Sequence, residues 1–230
     1  MSASFMLSIK ARRTYYDLTN ASTISDTQIR AIVETAVTHV PSPFNVQSSR
    51  AVIVTGASHR KLWKLVRKEF IKSLGETAPG RNGALTASLL AELLKRSEAK
   101  IAGCAASYGT VLFFEDSTPL DALAKQIPPL APHFPMWSAN AAGMLQFAVW
   151  AALEAEGLGA SLQHHAARSP EIAAGIRSAF ALPEAWKSTG LMPFGVPVGP
   201  PGHLGRGKTF KPIEDRVEVF HQAFEAEPSG

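Results

Sequence analysis

The stretch YGTVLFF (Tyr108–Phe114) constrains the fold more than any other part of the chain. Alternate residues of a β-strand point to opposite faces of its sheet. A run that is apolar at nearly every position therefore reads as a central strand covered on both faces. Glu115-Asp116 ends it. The longest helical signal is Trp137–Gly157, rich in alanine, with Met144, Phe147, Ala148 and Ala151 at core spacing. Its small residues suit close packing, as the central helix of a core or of a subunit interface. Gly157 and Gly159 stop it.

Around these two elements the pattern alternates. Ser4–Arg13 reads as a short helix ending in a basic cluster. Ser25 and Gln28 have capping-box spacing, and Ile29, Ile32, Val33, Ala36 and Val37 then fall on one helical face. Pro41 ends that helix, because the residue before proline disfavours helical geometry. Ala51–Thr55 reads as a strand, and Ser58 as the cap of a helix over His59–Leu74. Gly75–Gly83 reads as a loop, Ala84–Ile101 as a helix of mixed polarity, and Pro119–Gln126 as a short helix. Four prolines then punctuate Pro128–Pro135. Ala160–His164 reads as a strand, Pro170–Phe180 as a helix capped by Ser169, and Gly190–Val198 as a strand. Pro212–Ala226 has mixed strand and helix character. With no internal repeat and no clear linker, residues 1–230 read as one α/β domain.

Composition narrows the function classes. Apolar residues are 46% and charged residues 18% of 230, a globular balance. The net charge of +4 comes without a dense Lys/Arg run, so no nucleic-acid partner is expected. The most apolar long stretch, Ala139–Leu158, contains Asn140, Gln146, Glu154 and Glu156 and reads as a buried helix rather than a membrane span. The N-terminus carries no secretory pattern, so a cytoplasmic location is expected. The single cysteine, Cys104, allows no internal disulfide and no Cys-based zinc site. Nothing near it in sequence would lower its pKa, and it reads as a small buried residue.

Dinucleotide, P-loop, zinc-protease and nucleophile-elbow signatures are all missing. Gly202–Gly207 (GHLGRG) opens no obvious helix and is a weak phosphate loop. His164-His165 invites a metal, but adjacent strand residues face opposite ways and no Asp, Glu or Cys lies at supporting spacing. Three pieces remain. Arg12-Arg13-Thr14, at a helix end, offers two guanidinium groups and a hydroxyl, which suit a phosphate. The loop Pro41–Gln47 (PSPFNVQ) offers amides for the edge of a planar heterocycle; an ordinary helix-to-strand connection would read the same. Arg206 and Lys208 add late positive charge. Together they suit a phosphorylated, planar cofactor.

The combination resembles the nitroreductase family of flavoproteins. Arg12-Arg13-Thr14 is similar to its N-terminal Arg-x-Ser phosphate motif, and Pro41–Gln47 to its Pro-Ser-x-x-Asn-x-Gln motif. The likeness extends over Tyr108–Asp116 and Met144–His165, which look like the fungal fatty-acid-repression and bacterial copper-induced subgroup. The resemblance implies a three-layer α/β (α+β) sandwich, its central mixed sheet flanked by helices, in a homodimer with two FMN sites at the interface. Arg12, Arg13, Thr14, Arg206 and Lys208 would hold the FMN phosphate. Ser42, Pro43 and Asn45 would reach the flavin of the partner subunit, with Gln47 supporting the loop. Gln163, His164 and His165 would end a strand beside the ring, giving backbone groups to its reactive nitrogen. Tyr16 stands where the family usually has a further basic residue, and Thr14 where it more often has Ser.

The implied activity is hydride transfer from NADH or NADPH through FMN to a small aromatic acceptor, a nitroaromatic or a quinone, in ping-pong fashion, with no side-chain acid or base required. Phe44, Phe134 and Trp137 are candidate walls of an acceptor pocket, or simply core. The alternative reading is an FMN-binding redox sensor of stress or lipid state that turns over little.

Overall fold

The computed structural model describes residues 2–76, 87–202 and 207–220. Four strands form one sheet in the order β1-β2-β4-β3: β1 (Ser49–Thr55), β2 (Gly109–Asp116), β3 (Gly159–Ala160) and β4 (Trp186–Gly195). All three strand pairs are antiparallel. Among the described residues, the parallel direction enters only at the sheet edge, where Thr14 bridges Ala160. The helices are α1 (Ser2–Ala11), α2 (Asp26–His39), α3 (Gly56–Glu76), α4 (Ala87–Ala106), α5 (Ser117–Gln126), α6 (Phe134–Ala155), α7 (His165–Arg168) and α8 (Pro170–Phe180).

The apolar run does build the middle of the molecule. Leu112 and Phe114 of β2 join one core with Leu62, Trp63, Val66 and Phe70 of α3 and Ile172 and Ile176 of α8. Val111 and Phe113, between them in sequence, join a second core with Ile29 and Val33 of α2 and Leu145, Val149 and Leu153 of α6. The strand alternation thus divides one apolar sequence between two helical layers. His59 and Thr110 are paired beneath the first core. Thr110 Oγ1 accepts from Trp63 Nε1 at 2.9 Å and lies 3.0 Å from His59 Nδ1. Cys104 is also in this layer, where burial pushes its thiol up to about 12.

Several sequence expectations shift. The Ser25–Gln28 capping box is present on α2. Helix α3 starts at Gly56, ahead of the expected Ser58 cap. Helix α6 starts three residues early, with Pro135 in its first turn, where a missing N–H costs nothing. The expected strand over Ala160–His164 shrinks to Gly159–Ala160 plus one bridge from Gln163 to Leu191, because α7 begins at His165. Strand β4 starts at Trp186 rather than Gly190. The described part of Pro212–Ala226, up to residue 220, holds a turn and no strand or helix. Gly75 and Glu76 close α3, and the rest of the expected 75–83 loop lies outside the described residues.

A β-bulge between Phe113 and Phe114 leaves Thr189 without a partner in β2. Such bulges re-aim a side chain. Here the Thr189 hydroxyl accepts from Gln146 Nε2 of α6 at 3.1 Å. Gly190 beside it has no room for a side chain: a Cβ would meet Leu162 at 2.9 Å and Gln146 Nε2 at 3.1 Å.

Candidate functional site

Gln146 and Leu162, seated against Gly190, line a cleft of about 460 Å³ together with Arg12, Thr14, Gly143, Phe147 and Trp150. The cleft lies where α1 ends, α6 passes and the chain leaves β3. Gly143, Gln146, Phe147 and Trp150 form one stripe of α6 at helical spacing. Of the four residues expected in the core, Ala151 is buried, but Phe147 lines this cleft and Met144 is exposed; the polar Gln146 was the available signal.

Arg12 brings positive charge into the cleft lining, and Lys208 and Arg13 stand close enough to share its field. The Arg12 guanidinium lies 4.4 Å from the centre of the Trp150 ring. Lys208 Nζ donates to the carbonyls of Arg12 and Lys10 at 3.4 and 3.5 Å, tying the late tail to the end of α1. Burial, and then the positive charges of Arg12 and Arg13, hold the Lys208 ammonium below its ordinary range. The local counter-charge is Glu154 of α6, which interacts with the Arg13 backbone, with Tyr15 and with both arginines. Burial is the largest influence on that carboxyl and raises its pKa. Thr14 is fixed between two strand-like contacts: it bridges Ala160, and its carbonyl accepts from Gly202 N–H at 2.7 Å. Two shielded polar atoms here have no hydrogen-bond partner among the described residues, Trp150 Nε1 and Glu154 Oε2. Buried polar atoms are normally paired. An orphan indole N–H on a ring lining the cleft, beside converging cations, fits a ligand with acceptor oxygens and negative charge.

The other expected residues fall elsewhere. Ser42–Gln47 forms a tight, strained loop. Phe44, Asn45 and Gln47 have φ of 52°, 51° and 49°, three of the four non-glycine residues with positive φ among those described. Strain of this kind persists where the surroundings over-determine it, often at functional sites. Ser42 Oγ accepts from Gln47 N–H at 3.0 Å, and Arg50 donates to the Gln47 carbonyl at 2.6 Å. Pro43 opens the 3₁₀ turn. The Phe44 ring packs on Phe134 and Trp137, 6.1 and 6.3 Å between centroids, at the start of α6. The cleft-lining residues of the same helix, Gly143 to Trp150, lie about 9 to 20 Å farther along it than Trp137 at 1.5 Å per residue. Within one chain, none of the loop residues lines the Arg12 cleft.

Gln163 is buried, with Nε2 donating to Ser161 Oγ at 3.2 Å and its backbone paired to Leu191. His164 is exposed and precedes α7. The His165 ring turns into the opposite layer, edge-on to Trp63 and Phe70, where burial lowers its pKa to about 4. What His164 and His165 offer jointly is backbone: their N–H groups precede the first intrahelical bond, Arg168 N–H to the His164 carbonyl. Arg206 lies outside the described residues. Among the described residues no three His, Cys, Asp or Glu side chains gather as metal ligands, and no helix is long and apolar enough to cross a membrane.

Residues 9–196 match the nitroreductase family. The chain belongs to the nitroreductase family. The Saccharomyces cerevisiae nitroreductase FRM2 is 31% identical over 223 residues, 95% of this chain and 97% of that protein. HBN1 of the same yeast is 33% identical over 95% of this chain and 98% of its own. Among solved structures, nitroreductase CinD from Lactococcus lactis in complex with nicotinic acid superposes with a TM-score of 0.78 at 32% identity, covering 94% of this chain and all of that one. The FMN-dependent nitroreductase NfnB from Mycobacterium smegmatis, in complex with NADPH, shares the fold at 16% identity with a TM-score of 0.71 over 96% and 99% of the two chains. This nitroreductase-family chain thus has relatives along nearly its whole length, and the match begins just before Arg12.

Proposed function

We propose that the chain is an FMN-dependent NAD(P)H oxidoreductase that reduces nitroaromatic or quinone-type acceptors in ping-pong fashion as a homodimer. The observation that carries this reading is the meeting of Arg12, Arg13 and Lys208 at a cleft with an orphan indole N–H. Bound there, FMN supplies hydride acceptance from NADH or NADPH and hydride delivery to the acceptor. CinD has been crystallised with 4-nitrophenol as well as nicotinic acid, and NfnB with NADPH, which supports this class of donor and acceptor.

The residues divide the work of holding the cofactor. Arg12, Arg13 and Lys208 bind the phosphate by charge-assisted hydrogen bonds, joined by the Thr14 hydroxyl and by Arg206. Gln146, oriented by Thr189, presents a fixed polar group to the cleft. The backbone N–H groups of His164 and His165 serve the reactive nitrogen, while Gln163, its own N–H and carbonyl held by Leu191, fixes the chain that carries them. Ser42, Pro43 and Asn45 serve the cleft of the partner subunit, with Gln47 bracing their loop, since they do not line their own. A two-fold arrangement also covers apolar surface that the single chain leaves open: Met136 and Met144 on α6, and Phe210, Val219 and Phe220 on the tail, are all largely exposed.

Initial rates with NADH or NADPH and a quinone, each varied at several levels of the other, test the proposal. Parallel double-reciprocal lines are expected. Intersecting lines would overturn the ping-pong sequence. Rapid reduction without repeated turnover would favour the redox-sensing reading.

A further inference from the structure

A carboxylate outside the cleft is buried without a cation. Glu115, at the end of β2, is 6% exposed. Its Oε2 accepts from Ser48 Oγ at 2.5 Å and from Ser138 Oγ at 2.7 Å, and its Oε1 accepts from Ser49 Oγ at 2.5 Å. No Lys, Arg or His forms an ion pair with it among the described residues; the nearby Arg50 pairs instead with Asp116 at 3.0 Å. Burying a carboxylate on three hydroxyls is costly, and an apolar side chain would serve packing alone at least as well. What the carboxylate gains is position. Ser48 directly follows the strained loop, Ser49 opens β1, and Ser138 directly follows Trp137 in α6. Three elements are thus pinned to one side chain.

The pinned parts carry an exposed aromatic surface. Phe44 is 57% exposed in spite of its left-handed backbone. It meets Trp137, which also packs on Phe134 at 5.6 Å and stacks with His133 at 5.5 Å with 21° between planes. A strained backbone that holds a large ring out toward solvent needs a fixed support, and Glu115 provides it.

We propose that Glu115 is a positioning residue for acceptor specificity: through Ser48, Ser49 and Ser138 it sets Phe44 against Trp137 as a stacking surface for planar aromatic acceptors at the partner subunit's flavin. The inference rests on the proposed flavin reaction for its substrate and on the hydroxyl network for its mechanism. Planar π-systems stack on such surfaces, whereas a small inorganic oxidant gains nothing from them.

The test uses the FMN-loaded protein, pre-reduced with dithionite under anaerobic conditions and mixed with nitrobenzene, a quinone or ferricyanide. With rates counted per bound FMN, Glu115→Ala should raise the half-saturating concentration of the two aromatic acceptors at least tenfold and leave the ferricyanide rate within twofold. Glu115→Gln, which keeps the shape and one carbonyl acceptor, should recover most of the loss. Hydrogen exchange of the segment 42–49 should accelerate at least tenfold in Glu115→Ala, with or without FMN. If Glu115→Ala does not fold, Ser138→Ala removes only the α6 arm and should shift the aromatic acceptors in the same direction. Faster exchange with unchanged aromatic half-saturation, or equal losses for ferricyanide, would overturn the proposal. A wild-type protein that takes up no FMN would instead overturn the flavin reading, while the exchange result would still report on the anchor.

Discussion

The His165 ring offers a pH-dependent stability whose sign and size follow from its surroundings. It sits edge-on to Trp63 and Phe70, 6.2 and 5.9 Å between centroids, and its shielded Nε2 has no hydrogen-bond partner among the described residues. Burial, with smaller contributions from Lys100 of α4, Arg168 of α7 and neighbouring His164, lowers its pKa from 6.5 to about 4. Ser169 and Glu171, from the start of α8, line the same small cavity. Between pH 4 and 6.5 the unfolded chain binds a proton here that the folded chain refuses. Stability from this group is therefore complete above pH 6.5 and is lost as pH falls toward 4. The full shift would be worth about 3 kcal/mol; with part of the ring reached by water, about 2 kcal/mol is the working figure. The perturbation is His165→Leu, which keeps an apolar group against the two rings and removes the titration. Urea unfolding of both proteins at fixed protein and FMN concentration gives the readout from pH 4.5 to 7.5. The wild-type advantage over the variant should grow by about 2 kcal/mol with rising pH across this window. A pH-independent difference, or a His165 imidazole titrating near 6.5 by NMR, would refute the reasoning.

Arg12→Ala should weaken FMN binding by about 1.5–3 kcal/mol for each charge-assisted bond lost, roughly 10- to 150-fold in Kd, read by quenching of flavin fluorescence; unchanged affinity would remove Arg12 from the site. Asn45→Ala should impair flavin binding without unfolding the chain. Mixing Asn45→Ala with Arg12→Ala subunits should restore sites through mixed dimers, whereas no recovery after subunit exchange would contradict a loop that serves the partner. Gly195→Ala should destabilise the fold by about 1–3 kcal/mol in urea unfolding, because its Cβ would be driven into the Thr19 carbonyl.

How much was legible depended on whether the signal was local. The two-faced burial of Tyr108–Phe114, the α2 capping box and the Pro170 helix start each have a local cause, and the structure has all three. The short β3 does not: its pairing with β4 continues past Ala160 only as separate contacts at Ser161 and Gln163, and α7 begins at His165. The Thr189 bulge is equally invisible, since it exists only in the register of β4 against β2. Within the site, Arg12 and Thr14 were visible as a motif and do line the cleft. Gln146, Phe147 and Trp150 were not, because their stripe looks like core until α1 is placed across it. Glu115 looked like the end of a strand; its three serines come together only in space.

Bound flavin is tested most directly by an absorbance spectrum of the purified protein, recorded before and after anaerobic addition of NADH or NADPH. Flavin bands that bleach on addition are the expected result. A colourless protein that stays colourless after incubation with FMN would contradict the account, leaving the nitroreductase fold without the chemistry proposed for it.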